Sequence, residues 1–353
     1  MIRLPFLSRL LREAPSRLRR RLAAAGGLLL LALAAVPAAA QTAPAPLRFG
    51  ILPLGGVFES RNDWDPLLAD LSTAIGRPVA VLSVTSYEAL EQAIQRGEVD
   101  MAFLSGKMAL DAVTQRRMQV LAQVTRHDGL PGYRALLLSR KGSGLDSVQP
   151  VLEQPGRWRL ARGESRSVSG FIVPQLQLFL PNRVAMETAF RDEIVGTHQA
   201  TALAVANGEA DIATNNTADF ERLRTQFPRE AQRLQVIWQS DLIPHAQVVM
   251  RGDYPPAFQA QVQSFLVAYA RGKGPQADAQ RAVLKSLHDL AGFVAADNRS
   301  LVPAARLAHQ LALRNAAGAQ FVNDAARQAR LARIEAQFAE QLQVLETPAG
   351  ARP

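Results

Sequence analysis

Two similar α/β lobes facing one cleft are predicted by this sequence on three grounds: a segment used twice, strand and helix signals that alternate, and two places where the chain passes between lobes. The repeated segment runs from Ser86-Tyr87-Glu88-Ala89 to Ala102 and returns, 111 positions later, as Thr197-His198 to Ala213. In one register Ala89, Ala93, Gly97, Glu98, Asp100 and Ala102 coincide with Ala200, Ala204, Gly208, Glu209, Asp211 and Ala213. Each copy reads as a short helix capped by a hydroxyl residue, stopped by Gly in the left-handed region and followed by a buried strand. Tyr87 and His198 stand at the two helix mouths. Lobes that each bring a ring to a helix N-terminus would form a cleft that closes on a small polar ligand. The acidic pairs Glu98/Asp100 and Glu209/Asp211 hold the same place in both copies, which reads as capping and turn chemistry rather than paired catalytic carboxylates.

The elements follow in order. Leu47 to Pro53 is a first strand ending in a turn, and Asp65-Pro66 opens a helix with Leu67, Leu68, Leu71 and Ile75 on one face, stopped by Gly76. Pro78 to Val84 is a Val-rich strand, and the first repeat copy supplies a helix and the strand Val99 to Leu104. Val120 to Val124 and Tyr133 to Ser139 read as further strands of the first lobe. Gly142-Ser143-Gly144 marks the first crossing. The second lobe then holds Arg159 to Ala161, a Ser-rich turn at Ser165 to Gly170, a helix from Phe171, the second repeat copy and Val236 to Trp238. Pro244 to Met250 reads as a strand returning to the first lobe. From Pro255 the pattern is helical, ending in a helix from about Ala319 to Leu345 whose stripe of Leu331, Ile334, Phe338, Leu342 and Leu345 reads as packing on its own domain, with a partner-binding helix as the alternative. The predicted divisions are a leader over 1–40, first lobe 41–142, second lobe 143–243, first-lobe return 244–315, and a C-terminal helix and tail over 316–353.

The leader changes how the bulk numbers are read. Seven Arg between Arg3 and Arg21 form a basic n-region, Leu22 to Val36 an apolar core, and Ala38-Ala39-Ala40 a cleavage site, so the mature chain is expected to start at Gln41. The alternative is an uncleaved membrane anchor over Leu22 to Ala40. Arg19-Arg20-Arg21-Leu22 leaves twin-arginine export open beside the general secretory route. The seven Arg and one Glu of the leader account for +6 of the net +9, leaving +3 for the mature chain; the full sequence is 48% hydrophobic and 20% charged. Nucleic acid is therefore discounted as a partner. The absence of Cys excludes a disulfide framework, a thiolate metal site, a cysteine nucleophile and a lipid-modified cysteine anchor. A soluble, exported monomer in a bacterial periplasm is the expectation.

Ser165-Arg166-Ser167-Val168-Ser169-Gly170-Phe171 carries the chemistry. A strand end, a hydroxyl cluster, a glycine and an apolar helical run bring free backbone N–H groups and Ser hydroxyls to one point, a geometry that suits a tetrahedral oxyanion. Read alone, the same pattern is an ordinary Ser-capped helix. The remaining His127, His245, His288 and His309 lack metal-ligand spacing, and neither a metal nor a cofactor is expected.

Several of these motifs together resemble the periplasmic phosphonate-binding proteins of ABC transporters. They are Ser86-Tyr87-Glu88-Ala89, Ser167-Val168-Ser169-Gly170, Gly196-Thr197-His198 through Asp211, Ala213-Thr214-Asn215-Asn216-Thr217, and Ile237-Trp238-Gln239-Ser240 with Ile243-Pro244, in order between about Leu47 and Tyr254. The resemblance implies a type II periplasmic-binding fold that captures a phosphonate, phosphite or phosphate and delivers it to a permease in the inner membrane. It also implies that Ser167, Val168, Ser169 and His198 hold the phosphorus oxygens, with Tyr87 and Tyr133 reaching over from the first lobe. Ser105, Asn216, Asp241 and His245 are further cleft candidates.

Two departures from the family pattern stand out. The middle Thr of the turn is Val168, which keeps its N–H and loses a hydroxyl. Where amine-binding members place carboxylates, this chain has Ala218 and Ala246, so aminoethylphosphonate is expected to be disfavoured, with Asp241 the acid that would take over if it is not. Lys107, within the altered element Ser105-Gly106-Lys107-Met108-Ala109, reads as an exposed Lys. Two other classes of function compete: a sensing protein of the same fold that signals to a kinase, and a phosphoesterase with Ser167 or Ser169 as nucleophile and His198 as base.

Overall fold

In the computed structural model the described residues are 44–52, 57–287 and 289–347. The leader, its cleavage site, Pro53, His288 and the tail beyond Thr347 lie outside them. Two mixed sheets carry the fold. The first contains β1 (Leu47–Ile51), β2 (Val79–Leu82), β3 (Met101–Leu104), β4 (Met118–Arg126), β10 (Gln247–Arg251) and β11 (Leu290–Ala295), in the order β11-β4-β10-β3-β1-β2. The second contains β5 (Gly132–Arg140), β6 (Arg159–Arg162), β7 (Asp192–Val195), β8 (Ile212–Asn216) and β9 (Leu234–Pro244), in the order β7-β6-β8-β5-β9. In each sheet three parallel strands meet one antiparallel strand, β10 beside β3 and β5 beside β8.

That topology corrects the first crossing. Tyr133–Ser139 belongs to the second sheet, not the first, so the chain leaves the first lobe between Arg126 and Gly132 rather than at Gly142. A buried apolar strand states its burial and not its sheet, and here the pairing partner, β9, lies a hundred residues ahead. The chain returns between Pro244, the end of β9, and Gln247, the start of β10, and the two linkers touch: His245 Nε2 lies 3.0 Å from the Leu130 carbonyl. Gly132 is required at this point, because a Cβ there would sit 2.2 Å from the Ile243 carbonyl oxygen.

Helices cover the sheets. α1 (Val57–Ile75) starts earlier than Asp65 and runs through Pro66, which costs it one internal hydrogen bond. α2 (Tyr87–Gln95) and α3 (Gly106–Thr114) follow β2 and β3; α4 (His198–Asn207) and α5 (Thr217–Gln226) are their counterparts after β7 and β8. α6 (Pro256–Ala268) and α7 (Pro275–Ser286) return along the first lobe, whose core includes Phe49, Trp64 and Phe103 with ring centroids 5.1 and 5.0 Å apart. Strand β11 interrupts the helical pattern read from Pro255; its six residues are too few to show a period between two helices. The C-terminal stretch is two helices, α8 (Val302–Gly318) and α9 (Asp324–Glu346), the second capped by Asn323. Phe338 and Leu345 of α9 join the first-lobe core, so its stripe packs on its own lobe.

The repeat is held by one device used twice. In the first lobe the Arg48 guanidinium donates from Nε and Nη2 to the Asp100 carboxylate at 2.8 Å each and from Nη2 to the Gly97 carbonyl at 2.7 Å, while Arg48 N donates to the same carboxylate at 2.8 Å. In the second, Arg159 makes the matching bonds to Asp211 and to the Gly208 carbonyl at 2.8 to 3.2 Å. Gly97 and Gly208 have φ of 71° and 84°, the left-handed turn that ends each helix. The Asp residues of the repeat are therefore strand clamps more than turn caps.

Burial alone would raise both carboxyls; the arginine hydrogen bonds and charge outweigh it and leave both below the usual range. A folded-state pKa below the unfolded value of about 3.9 gives stability that is present above that pH and lost as pH falls through the folded value. The protein is expected to lose stability on acidification below about pH 4, and Asp100→Asn to lower stability at pH 7 by about 2 kcal/mol. Thermal melts of both forms from pH 7 to pH 3 check this; an unchanged melting temperature in Asp100→Asn would show the clamp to be dispensable.

Candidate functional site

Helix starts position the two rings. Ser86 accepts the Ala89 N–H at 3.0 Å and Thr197 accepts the Ala200 N–H at 3.2 Å, so α2 and α4 begin at Tyr87 and His198 as predicted. The Ser-rich turn opens its helix three residues before Phe171. The Ser167 carbonyl takes both the Phe171 and Ile172 N–H groups at 3.0 Å, a widened π-type turn over Val168–Ile172, and Ser167 Oγ accepts the Gly170 N–H at 3.0 Å. Gly170 packs backbone to backbone on Gly163: a Cβ on it would meet Ser167 Oγ at 2.7 Å and Gly163 Cα at 2.8 Å. Thr214 locks the pair from behind, donating to the Gly170 carbonyl at 2.7 Å and accepting the Gly163 N–H at 3.2 Å.

Donors converge in front of this turn. Ser169 Oγ lies 3.1 Å from His198 Nε2 and 3.3 Å from Asn216 Nδ2. The Tyr87 hydroxyl meets Ser167 and the Tyr133 hydroxyl meets Ser169. Burial drives both phenols well above their ordinary range, against the pull of those serines, so both remain hydroxyl donors. His198 is buried and pushed down by desolvation, against the charge of Asp219 and the Thr214 backbone, and is a neutral imidazole at pH 7. Its Nδ1 has no hydrogen-bond partner of good geometry.

One cavity of about 70 Å³ gathers these groups. Tyr87, Tyr133, Ser167, Val168, Ser169 and His198 all line it, as do Ser105, Asn216, His245, Ala218 and Ala246. The Val168 side chain joins an apolar cluster with Val173 and Ile243, leaving its backbone as its polar contribution. Three expectations fail. Tyr133 reaches the cavity from β5 of the second lobe, not from the first, so Tyr87 is the tyrosine that crosses. Asp241 is exposed, its N–H bonded to Gln177 Oε1 at 3.0 Å, and it does not line the cavity. Lys107 is half-buried rather than exposed and pairs with Asp111.

Sequence reasoning missed two charged lining residues, Arg126 and Asp219. Asp219 had a local signal: its N–H donates to Asn216 Oδ1 at 2.9 Å and Asn216 Nδ2 donates to its carboxylate at 2.6 Å, a reciprocal cap three residues apart. Arg126 ends β4 and had none.

Across the mouth, Tyr87 N donates to Glu164 Oε1 at 3.1 Å, Arg222 pairs with Asp63 at 2.6 Å and Arg166 pairs with Glu91. Among the described residues there is no cluster of His and acidic side chains suited to a metal ion.

Known proteins resemble this chain in sequence and fold. Residues 49–301 match the family described as ABC transporter, phosphonate, periplasmic substrate-binding protein. The phosphonates-binding periplasmic protein of Escherichia coli K12 is 31% identical over 302 residues, 86% of this chain and 87% of that protein. A binding protein component of an ABC phosphonate transporter from Pseudomonas aeruginosa superposes with a TM-score of 0.78 at 29% identity, covering 84% of this chain and 97% of that one. PhnD1 from Prochlorococcus marinus, solved with methylphosphonate, shares the fold with a TM-score of 0.66 at 19% identity, over 75% of this chain and 97% of its own. With two mixed sheets about one cleft and a match over most of its length, the chain belongs to the periplasmic phosphonate-binding protein family of ABC transporters.

Proposed function

We propose that this protein is the ligand-capturing component of an importer, which binds a phosphonate or related phosphorus oxyanion in the periplasm and delivers it to an inner-membrane permease. The observation that carries the reading is the gathering of Ser, Tyr, Asn and His side chains from both lobes around the Ser167–Gly170 turn. Hydroxyl, amide and backbone N–H donors match the oxygens of such a head, and the helix opening at Val168 adds its dipole. Export by the leader over residues 1–40 is part of the proposal, as is the monomeric state. No described helix is long and apolar enough to cross a membrane.

The site reads as a binder and not a phosphoesterase. Ser169 and His198 have the spacing of a nucleophile and base, yet His198 Nδ1 meets no carboxylate that would orient the ring and stabilise its charged form. Neutral hydroxyl donors hold an oxyanion without a nucleophile having to form.

Calorimetric titration with phosphate, phosphite, methylphosphonate and larger organophosphonates tests the reading. At least one is expected to bind and to be released unchanged; binding of none, or its hydrolysis, would overturn it. Ser169→Ala and His198→Ala are each expected to weaken the best ligand by roughly 1.5–3 kcal/mol, or about 10- to 150-fold. Gly170→Ala should weaken it at least as much, since the added Cβ displaces Ser167 Oγ. Parent-like affinity in all three variants would place the site elsewhere.

The ion pairs across the mouth describe lobes held together, and the paired linkers at Leu130 and His245 are the natural hinge. Ligand is therefore expected to compact the protein in small-angle scattering and raise its melting temperature. An identical scattering profile with and without saturating ligand would count against closure.

A further inference from the structure

We infer that the first lobe carries a second anion subsite, formed by Ser105, the N-terminus of α3 and Arg126, so that the preferred ligand is a phosphonate bearing a second negative group on a short linker. This rests on the phosphorus-binding reading of the turn. The first observation is an orphan. Ser105 is 7% exposed, its Oγ has no hydrogen-bond partner, and it lines the same cavity as the turn. It also stands at the N-cap of α3 without capping it, so the hydroxyl and the first N–H groups of a nine-residue helix are left together.

The internal repeat says what such a position does when engaged. Ser105 plus the repeat interval is Asn216, which ends a buried strand and opens a helix. Asn216 caps α5 and donates to Ser169 of the turn. Its first-lobe equivalent has the same placement and no protein partner, which is the state of a group awaiting a ligand.

Strand pairing brings the cation to it. Leu104 pairs with Gln247 in the antiparallel β3–β10 ladder, so Ser105 lies opposite Ala246, and Val124 N bonds the Ala246 carbonyl from β4. Arg126 is two residues further along β4 and lines the cavity at the same end of the sheet. The small Ala246 side chain between them leaves the space open. A hydroxyl, a helix N-terminus and a guanidinium make a carboxylate-binding set on the lobe opposite the Ser167–Gly170 turn. The cavity's acid, Asp219, is held on the other lobe in the cap of α5.

Titration with methylphosphonate, phosphonoacetate and aminoethylphosphonate at one salt concentration tests this. Phosphonoacetate is expected to bind at least about tenfold more tightly than methylphosphonate. Ser105→Ala and Arg126→Gln should each shrink that ratio, Ser105→Ala with an unchanged melting temperature. Three results would overturn the inference while leaving the phosphorus site intact: methylphosphonate binding as tightly as phosphonoacetate, aminoethylphosphonate binding more tightly than both, or Ser105→Ala weakening methylphosphonate and phosphonoacetate by the same factor. The last would mean that Ser105 touches the phosphorus head. Binding of none of the three would overturn the inference, and with no binding of phosphate or phosphite either it would overturn both readings.

Discussion

The architecture depends on an arginine clamping an aspartate across two strands, once in each lobe. Arg48 sits in β1 and Arg159 in β6, and each reaches across to the Asp that follows a repeat helix and to the Gly carbonyl that ends it. One guanidinium thereby fixes three things at once: the pairing of two parallel strands, the end of a helix, and the axis along which that helix runs back to the cleft. The bidentate geometry makes the clamp directional, which a hydrophobic contact is not. With the C-terminal ends of α2 and α4 anchored, their N-terminal ends, carrying Tyr87 and His198, are delivered to the cavity. The proposed ligand site is thus the far end of a lever whose near end is an ion pair.

At that far end the chemistry changes from charge to polarity. The clamps use full charges where half-exposed arginines remain hydrated, whereas the head site uses phenols, serine hydroxyls, an amide and a neutral imidazole that burial keeps uncharged. Such donors cost less to desolvate in an empty closed cleft than unpaired cations would, and they lose little by waiting. Geometry has to make up for the missing charge, which is why the Gly163–Gly170 contact and the Thr214 lock matter: they hold the Ser167 and Ser169 oxygens and the Val168 N–H in one orientation before anything binds.

Local chemistry was legible in the sequence and pairing was not. The caps at Ser86 and Thr197, the left-handed Gly97 and Gly208, and the hydroxyl turn were readable because each involves residues within five positions of one another. The repeat interval pointed to Tyr87 and His198 as equivalents, and it also relates Arg48 to Arg159, yet without a contact across 52 positions the aspartates read as turn residues. Tyr133 was named as a site residue and put in the wrong lobe for the same reason: β5 announces burial, while its sheet is decided by β8 and β9 far along the chain. The Asn216–Asp219 cap is a signal confined to four positions, and nothing in it says that Asp219 lines a cavity shared with the other lobe.

The crossings explain why the proposed hinge and the proposed site share one place. β5 and β10 are the first strands after each passage between lobes, and each takes the antiparallel slot beside the strand that ends the repeat unit, β8 and β3 respectively. Every residue just after a crossing is therefore next to a residue just after a repeat strand. That rule puts Ala135 opposite Asn216, with Tyr133 two residues before it and its ring stacked on His245 at 6.2 Å, and puts Ala246 opposite Ser105. Helix α8 lies across the back of the same region, with Ala305 in the first-lobe core and Leu307 packed on the cluster that holds Val168 and Ile243. Any rotation of one lobe on the other must reorganise Leu130, His245 and this cluster together, so a change in lobe angle is felt directly at the oxygens of the turn.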